Sequence, residues 1–224
     1  SVDELGQLEE KLGFDLVPVS ELLVTADDAK RARAELEANA VDFLLCQVSS
    51  FAAGDIILPL AKMNAKLGLW AVPESTDSGP LPLNSFCGVN MYASIISHYL
   101  KDYGINYKWF FGNIEDELFR ARFEPTVQAL RAVKNLKEAR IALVGGVAPG
   151  FRDLNYDPRI LERIYGVEIH SLELAEVLDK VGKFDESQVR ATADRFASLG
   201  TRADALDRDY EHSARLYLAF QELA

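Results

Sequence analysis

Residues 69–100 read LWAVPESTDSGPLPLNSFCGVNMYASIISHYL, and the order of the parts in this stretch decides the fold. An apolar run from Leu67 to Val72 ends in a loop carrying Pro73, Gly79, Pro80 and Pro82. That loop delivers Asn84, Ser85, Phe86, Cys87 and Gly88 onto a helix predicted over Cys87–Lys101. Strand, long loop and helix start is the arrangement at which α/β proteins bind ligands. In a parallel sheet the carboxyl ends of the strands share one edge, and the helix that follows presents unpaired N–H groups there. Loops longer than about a dozen residues are uncommon in compact domains and usually functional. A polar small molecule is expected here. A wide, solvent-exposed turn capped by Asn84 or Ser85 accounts for the same residues without one.

On the amino-terminal side, Val2, Leu5, Leu8 and Leu12 recur at helical spacing, and a strand is expected before them. Phe14–Val19 is a short apolar run with β-branched residues and predicts a strand. Thr25, followed by Ala-Asp-Asp, predicts the start of a helix to Asn39. Phe43–Val48 (FLLCQV) predicts a fully apolar strand, Gly54–Lys66 a helix, Tyr107–Phe111 a strand and Glu115–Asn135 a long helix. Strands without polar alternation, separated by helices, argue for a parallel sheet covered on both faces.

The pattern resumes after a charged joint. Ile141–Val144 leads into a glycine-rich loop, Gly145–Phe151 (GGVAPGF). Asp157-Pro158 looks like an N-cap with proline at the first helical position, and that helix ends at Tyr165-Gly166. Val167–His170 predicts another strand, followed by helices over Leu172–Leu178, Glu186–Leu199 and Leu206–Leu223. Two strands do not complete a doubly wound sheet. The expectation is one α/β domain over residues 1–136, short of an opening central strand, and the first part of a second over residues 137–224, in a fragment of a longer protein.

Lys plus Arg number 24 against 35 Asp plus Glu, a formal charge of −11, and no basic cluster interrupts the acidic background. Nucleic acid and anionic membrane are therefore poor partners. Apolar runs break well before the roughly 18 residues of a membrane span, and the N-terminus lacks a signal pattern, so a cytoplasmic location is expected. Cys46 and Cys87 lie far apart without CxxC spacing, which suits reduced thiols.

The three histidines, His98, His170 and His212, fall in no HxxxH or HExxH context, and no metal site is predicted. Asp209 and His212 share a helical face, an arrangement far commoner on a plain polar surface. His98, among Ile95, Ile96, Tyr99 and Leu100, reads as a satisfied structural histidine. The Gly145–Gly150 loop follows a strand but has neither GxGxxG nor GxxxxGK[ST] spacing, and its helix begins too late to meet a pyrophosphate. It reads as a close-packed turn at a domain boundary. Cys87, at a helix start, has no histidine nearby to serve as base, so substrate contact or packing ranks above catalysis. Cys46, inside a strand, reads as buried and inert. The loop Ser49-Ser50-Phe51-Ala52-Ala53-Gly54-Asp55 lies at the same strand edge as the Pro73 loop if the sheet is parallel. Serines, an aromatic ring and a helix N-terminus suit a sugar, and an ordinary serine-capped loop fits equally well.

Taken together, VSSFAAGD, PLPLNSFCGVNMYAS, IALVGGVAPGF and the closing YLAFQELA resemble the L-fucose and L-arabinose isomerase family, in chain order over essentially the whole sequence. The resemblance implies a Rossmann- or flavodoxin-like α/β fold with parallel sheet and helices on both faces, plus the start of a second Rossmann-like domain. It also implies an aldose–ketose isomerase that uses Mn²⁺ and works on a monosaccharide as a homo-oligomer, trimer or hexamer. The family's metal-binding Glu, Asp and His residues lie past the position of Ala224, so no catalytic or metal residue is expected in this chain. What it implies here is a first domain that helps to hold the sugar in a neighbouring subunit. Phe51 falls where arabinose isomerases carry a substrate-contacting Phe. Asn84–Gly88 falls on their Asn-Gln-Ser-Ala-His-Gly run, with Cys87 in place of its histidine. The substrate-binding set implied is Phe51, Asn84, Ser85, Cys87, Gly88 and Asn90. A stand-alone sugar-binding or sensing domain is the competing expectation.

Overall fold

The computed structural model describes residues 2–76, 78–200 and 206–223. The chain divides into two compact units, Ser1–Ala132 and Val133–Ala224. The strand expected before Ser1 lies outside the described residues.

In the first unit, three strands form a parallel sheet in the order β1 (Phe43–Val48), β2 (Lys66–Ala71), β3 (Tyr107–Phe111). Leu44 pairs with Leu67 and Leu67 with Tyr107, so side chains of one parity line each face across all three strands. On one face Cys46, Val48, Leu67, Leu69, Ala71 and Phe111 meet α3 (Ala26–Ala38), α4 (Ile57–Ala61) and α5 (Ser85–Ser94). On the other, Phe43, Leu45, Trp70 and Phe110 meet α1 (Val2–Gly6), α2 (Glu9–Leu12) and α6 (Glu117–Glu138). Burial on both faces is why these strands read as unbroken apolar runs, and the α/β expectation holds.

An aromatic cluster anchors the second face. Trp70 lies 4.8 Å from Phe119, centroid to centroid, Phe119 stacks on Phe123 at 5.2 Å, and Phe110 packs against both. The Trp70 indole N–H donates to the Gly112 carbonyl at 2.8 Å, so the polar atom of this buried ring is paired. Gly68 sits beneath Phe43 and Phe110. A Cβ there would lie 2.7 Å from one ring and 2.9 Å from the other, so only glycine lets the rings close over β2.

Several elements differ from the sequence reading. Phe14–Val19 forms no strand. Phe14 and Leu16 pack into the aromatic layer, Val17 and Val19 into the other face, and the Leu16 N–H donates to the Glu9 carboxylate at 2.6 Å. Pro18 supplies no N–H for a ladder, so the stretch crosses the edge of the sheet as irregular chain. The opening helix breaks into α1 and α2. Gly54–Lys66 yields only a 3₁₀ turn at Gly54–Ile56 and the short α4, and the helix predicted to start at Cys87 starts at Ser85 and passes into a π-helical turn over Ile95–Tyr99. Thr25 caps α3 as expected: its hydroxyl accepts the Asp28 N–H and the Asp28 carboxylate accepts the Thr25 N–H.

In the second unit, β4 (Arg140–Val144) and β5 (Glu168–Leu172) form a parallel pair. α7 (Pro158–Tyr165) starts at the expected Asp157-Pro158 cap, with the Asp157 carboxylate accepting the Arg159 N–H at 3.0 Å. The helix predicted over Leu172–Leu178 lies later, as α8 (Leu174–Val181), because β5 extends to Leu172. α9 (Glu186–Ser198) and α10 (Asp207–Leu223) pack through Val189, Ala193 and Ala214.

Candidate functional site

The carboxyl ends of β1, β2 and β3 share one edge, and the loops that leave β1 and β2 are tied together there. The Phe51 N–H donates to the Leu83 carbonyl at 2.7 Å. Ser85, only 1% exposed, makes the central link: its hydroxyl accepts the Val72 N–H at 2.9 Å and donates to the Val48 carbonyl. One side chain thus joins the ends of two strands to the first turn of α5. Gly88 lets that turn approach, since a Cβ there would lie 2.7 Å from the Val48 side chain and 3.7 Å from the Phe51 Cα.

The helix divides the predicted site residues between its two faces. Ser85, Gly88, Val89, Tyr92 and, past the helix end, Ile96 form the buried stripe, at the i, i+3, i+4, i+7 spacing of a helix face. Cys87 and Asn90 are exposed, together with Phe86, which the sequence reading did not select. Phe86 packs edge-on against Phe111 at 5.6 Å, and both Phe51 (53%) and Phe86 (51%) keep half of their surface open. The ensemble is an open rim of rings, an amide and a thiol, not an enclosed cavity. An open groove of about 500 Å³ lies elsewhere in this unit, along α6 beside Glu115, Arg120, Glu124 and Pro125.

Asn84 precedes α5 in the left-handed region, at φ 49° and ψ 33°, and its side chain makes no capping bond. Asn tolerates this conformation better than most residues, which explains its place at the bend. Neither Asn84 nor Ser85 therefore caps the helix. Glu74 serves the chain here instead, its carboxylate accepting the Asn84 N–H at 2.6 Å and the Leu83 N–H at 3.2 Å. Sequence reasoning missed Glu74 because its partners are backbone groups about ten residues away, which no side-chain pattern reveals.

Behind the rim lie two groups held neutral. Burial pushes the Cys46 thiol up to about 12 and, with Cys46 as a second cause, the Tyr92 phenol up to about 12. The Tyr92 hydroxyl donates to the Ala53 carbonyl at 3.3 Å, fixing the loop that carries Phe51. Cys46, expected to be buried and inert, is half-buried with its thiol held protonated by desolvation, and Cys87 is the exposed thiol.

The remaining sequence candidates stay apart. His98 is exposed, and its Nδ1 lies 3.1 Å from the Ser94 carbonyl one turn earlier, so the histidine is hydrogen-bonded within its own helix. The Asp209 carboxylate accepts the Leu206 N–H at the start of α10, so it serves that helix end. Gly145, Gly146 and Gly150 all have positive φ with open space about the last two, an open turn where a close-packed one was expected. Among the described residues no three His, Cys, Asp or Glu side chains gather as a metal would need, and no helix is long and apolar enough to cross a membrane. The exposed groups of the rim are two aromatic rings, the Asn90 amide and the Cys87 thiol.

No protein-family model matches the chain. It is similar to proteins named sulfoquinovose isomerase: 23% identical over 174 residues to those of Priestia aryabhattai and Priestia megaterium, and 25% identical over 167 residues to that of Alkalicoccus urumqiensis. The matches cover 77% and 74% of this chain but 38% and 37% of the relatives, so the chain spans well under half the length of the curated relatives it matches. These names agree with a sugar isomerase and do not narrow to the L-fucose and L-arabinose enzymes.

Proposed function

We propose that this chain is the sugar-holding and subunit-contacting part of an aldose–ketose isomerase that acts on a monosaccharide in the cytoplasm as a homo-oligomer, trimer or hexamer. The reading is supported by the similarity to sugar isomerases over three-quarters of the chain. The observation that carries it to particular residues is the linkage of the Phe51 loop to the start of α5 through Leu83 and Ser85. Phe51 supplies a face for stacking, Asn84 and Asn90 amides for sugar hydroxyls, and Cys87 a neighbouring contact. Ser85 and Gly88 act by fixing the geometry, since one is buried with its hydroxyl engaged and the other is packed against β1.

Moving hydrogen between C1 and C2 of a sugar through an enediolate calls for a divalent cation on two sugar oxygens and a positioned base. The described residues do not fit Mn²⁺, because no ligand cluster forms among them. In this reading the metal and base belong to other parts of a longer enzyme, and the isolated chain gives no ketose from any aldose, with or without Mn²⁺. Turnover above a no-enzyme control in a ketose assay would overturn that division of labour.

In the longer enzyme, Asn84→Ala is expected to lower kcat/KM by roughly ten- to a hundredfold, since each hydrogen bond lost in a partly dry site costs about 1–3 kcal/mol. Phe51→Ala should act in the same direction. Steady-state kinetics on both variants decide it, and unchanged kcat/KM in both would show that the rim holds no substrate.

A further inference from the structure

The loops on the ligand-facing edge of the sheet are of one sign. In the sequence, residues 49–56, 73–84 and 112–116, which leave β1, β2 and β3, carry Asp55, Glu74, Asp77, Glu115 and Asp116 and no lysine or arginine; indeed no lysine or arginine occurs between Lys66 and Lys101. A helix N-terminus ordinarily attracts anions, with an effective charge of about +0.5. Here the entry to α5 already holds one of the protein's own, because the Glu74 carboxylate takes the N–H groups of Leu83 and Asn84. A full negative charge set on about half a positive one leaves the entry to α5 net negative, the nearest guanidinium on this edge being that of Arg120, which donates to the Ile114 carbonyl in the loop after β3.

We propose that Glu74 is a specificity-determining residue that makes this rim exclude anions. The part of the substrate held against Phe51, Asn84 and Cys87 is then an uncharged polyol. Any sulfonate or phosphate on the sugar points away from this unit and is recognised elsewhere. The inference rests on the sugar-holding reading for the identity of the ligand, but not for the sign of the charge. It also gives the sulfosugar named in the relatives a defined orientation: the hydroxyl-bearing end faces this rim.

Cys87 is the reporter the chain provides. It is exposed, within one helical turn of Asn84, and the other thiol, Cys46, is silent near neutral pH. Iodoacetamide and iodoacetate form the same S–C bond with loss of iodide, but one is neutral and the other anionic. The ratio of their rate constants at Cys87, read by mass spectrometry and divided by the ratio for a neutral small thiol, cancels thiol reactivity and leaves the local potential. In the intact chain at about 10 mM ionic strength, the normalised iodoacetate-to-iodoacetamide ratio is expected to lie roughly twofold below one, as for a unit charge about 8 Å away at high dielectric. Glu74→Gln should bring it close to one, and 0.5 M salt should do the same to the unaltered chain without any mutation. A ratio near one in the unaltered chain at low salt overturns the proposal. So does a Glu74→Gln variant in which both reagents speed up equally, because that reports a loosened loop and not a removed charge.

A second arm separates this inference from the functional reading. A neutral aldose should protect Cys87 from iodoacetamide, and the same sugar bearing a 6-sulfonate should protect it at least threefold less well, the difference closing in Glu74→Gln. Equal protection by both sugars sinks the specificity role. Failure of every sugar to protect, with the charge-dependent ratio intact, sinks the sugar-holding reading and leaves the anion-excluding rim standing.

Discussion

Ser85→Ala is expected to lower the stability of the Ser1–Ala132 unit by about 2–4 kcal/mol, although the change deletes one oxygen atom. Its hydroxyl is the partner of both the Val72 N–H and the Val48 carbonyl, in a position 1% exposed, and alanine leaves both backbone groups unpaired where water has little access. Each such buried group costs about 1–3 kcal/mol. Urea unfolding followed by tryptophan fluorescence reads this unit alone, because both tryptophans, Trp70 and Trp109, belong to it. A loss below about 0.5 kcal/mol would mean that water takes over the bridge.

The second large effect is alkaline destabilisation. Cys46 and Tyr92 are acids whose ionised forms burial disfavours, and both titrate near 12 in the folded chain, against 9.0 and 10.0 as ordinary values. Between the ordinary and the raised value the unfolded chain binds fewer protons than the folded one, so stability falls as pH rises. The full stability is present below about pH 9 and is lost progressively toward pH 12, with a slope of about 1.4 kcal/mol per pH unit for each group. A loss of about 2–3 kcal/mol by pH 10.5 is expected, Cys46 contributing the larger part. Cys46→Ala should remove the onset at pH 9, and Tyr92→Phe the further steepening above pH 10. Denaturant midpoints measured from pH 8 to 11 provide the check, and a flat profile would show that neither group is held neutral.

How far the sequence foretells this site depends on the range of each interaction. Phe43–Val48 and Tyr107–Phe111 are found at their expected bounds because a strand buried on both faces leaves an unbroken apolar run. Phe14–Val19 has the same composition and fails as a strand, since pairing needs free N–H groups on the correct edge and Pro18 interrupts them. The split of Ser85 and Gly88 from Cys87 and Asn90 was readable from the spacing 85, 88, 89, 92, 96, which sets the first two on the core stripe. The bridge from Ser85 to Val48 and the hold of Glu74 on Asn84 were not readable. Both join a side chain to backbone atoms of a distant segment, and backbone atoms carry no sequence signature.

The bonds that assemble the rim share a kinetic character. Ser85 meets Val48 across 37 residues and Trp70 meets Gly112 across 42, and neither bond exists until parallel strands have found one another over their crossovers. Closing such loops is slow, and local helices form long before it is complete. The rim is therefore expected among the last features to form during folding. Loss of the Ser85 bridge should then leave the refolding rate nearly unchanged and speed unfolding by the whole of its energetic effect.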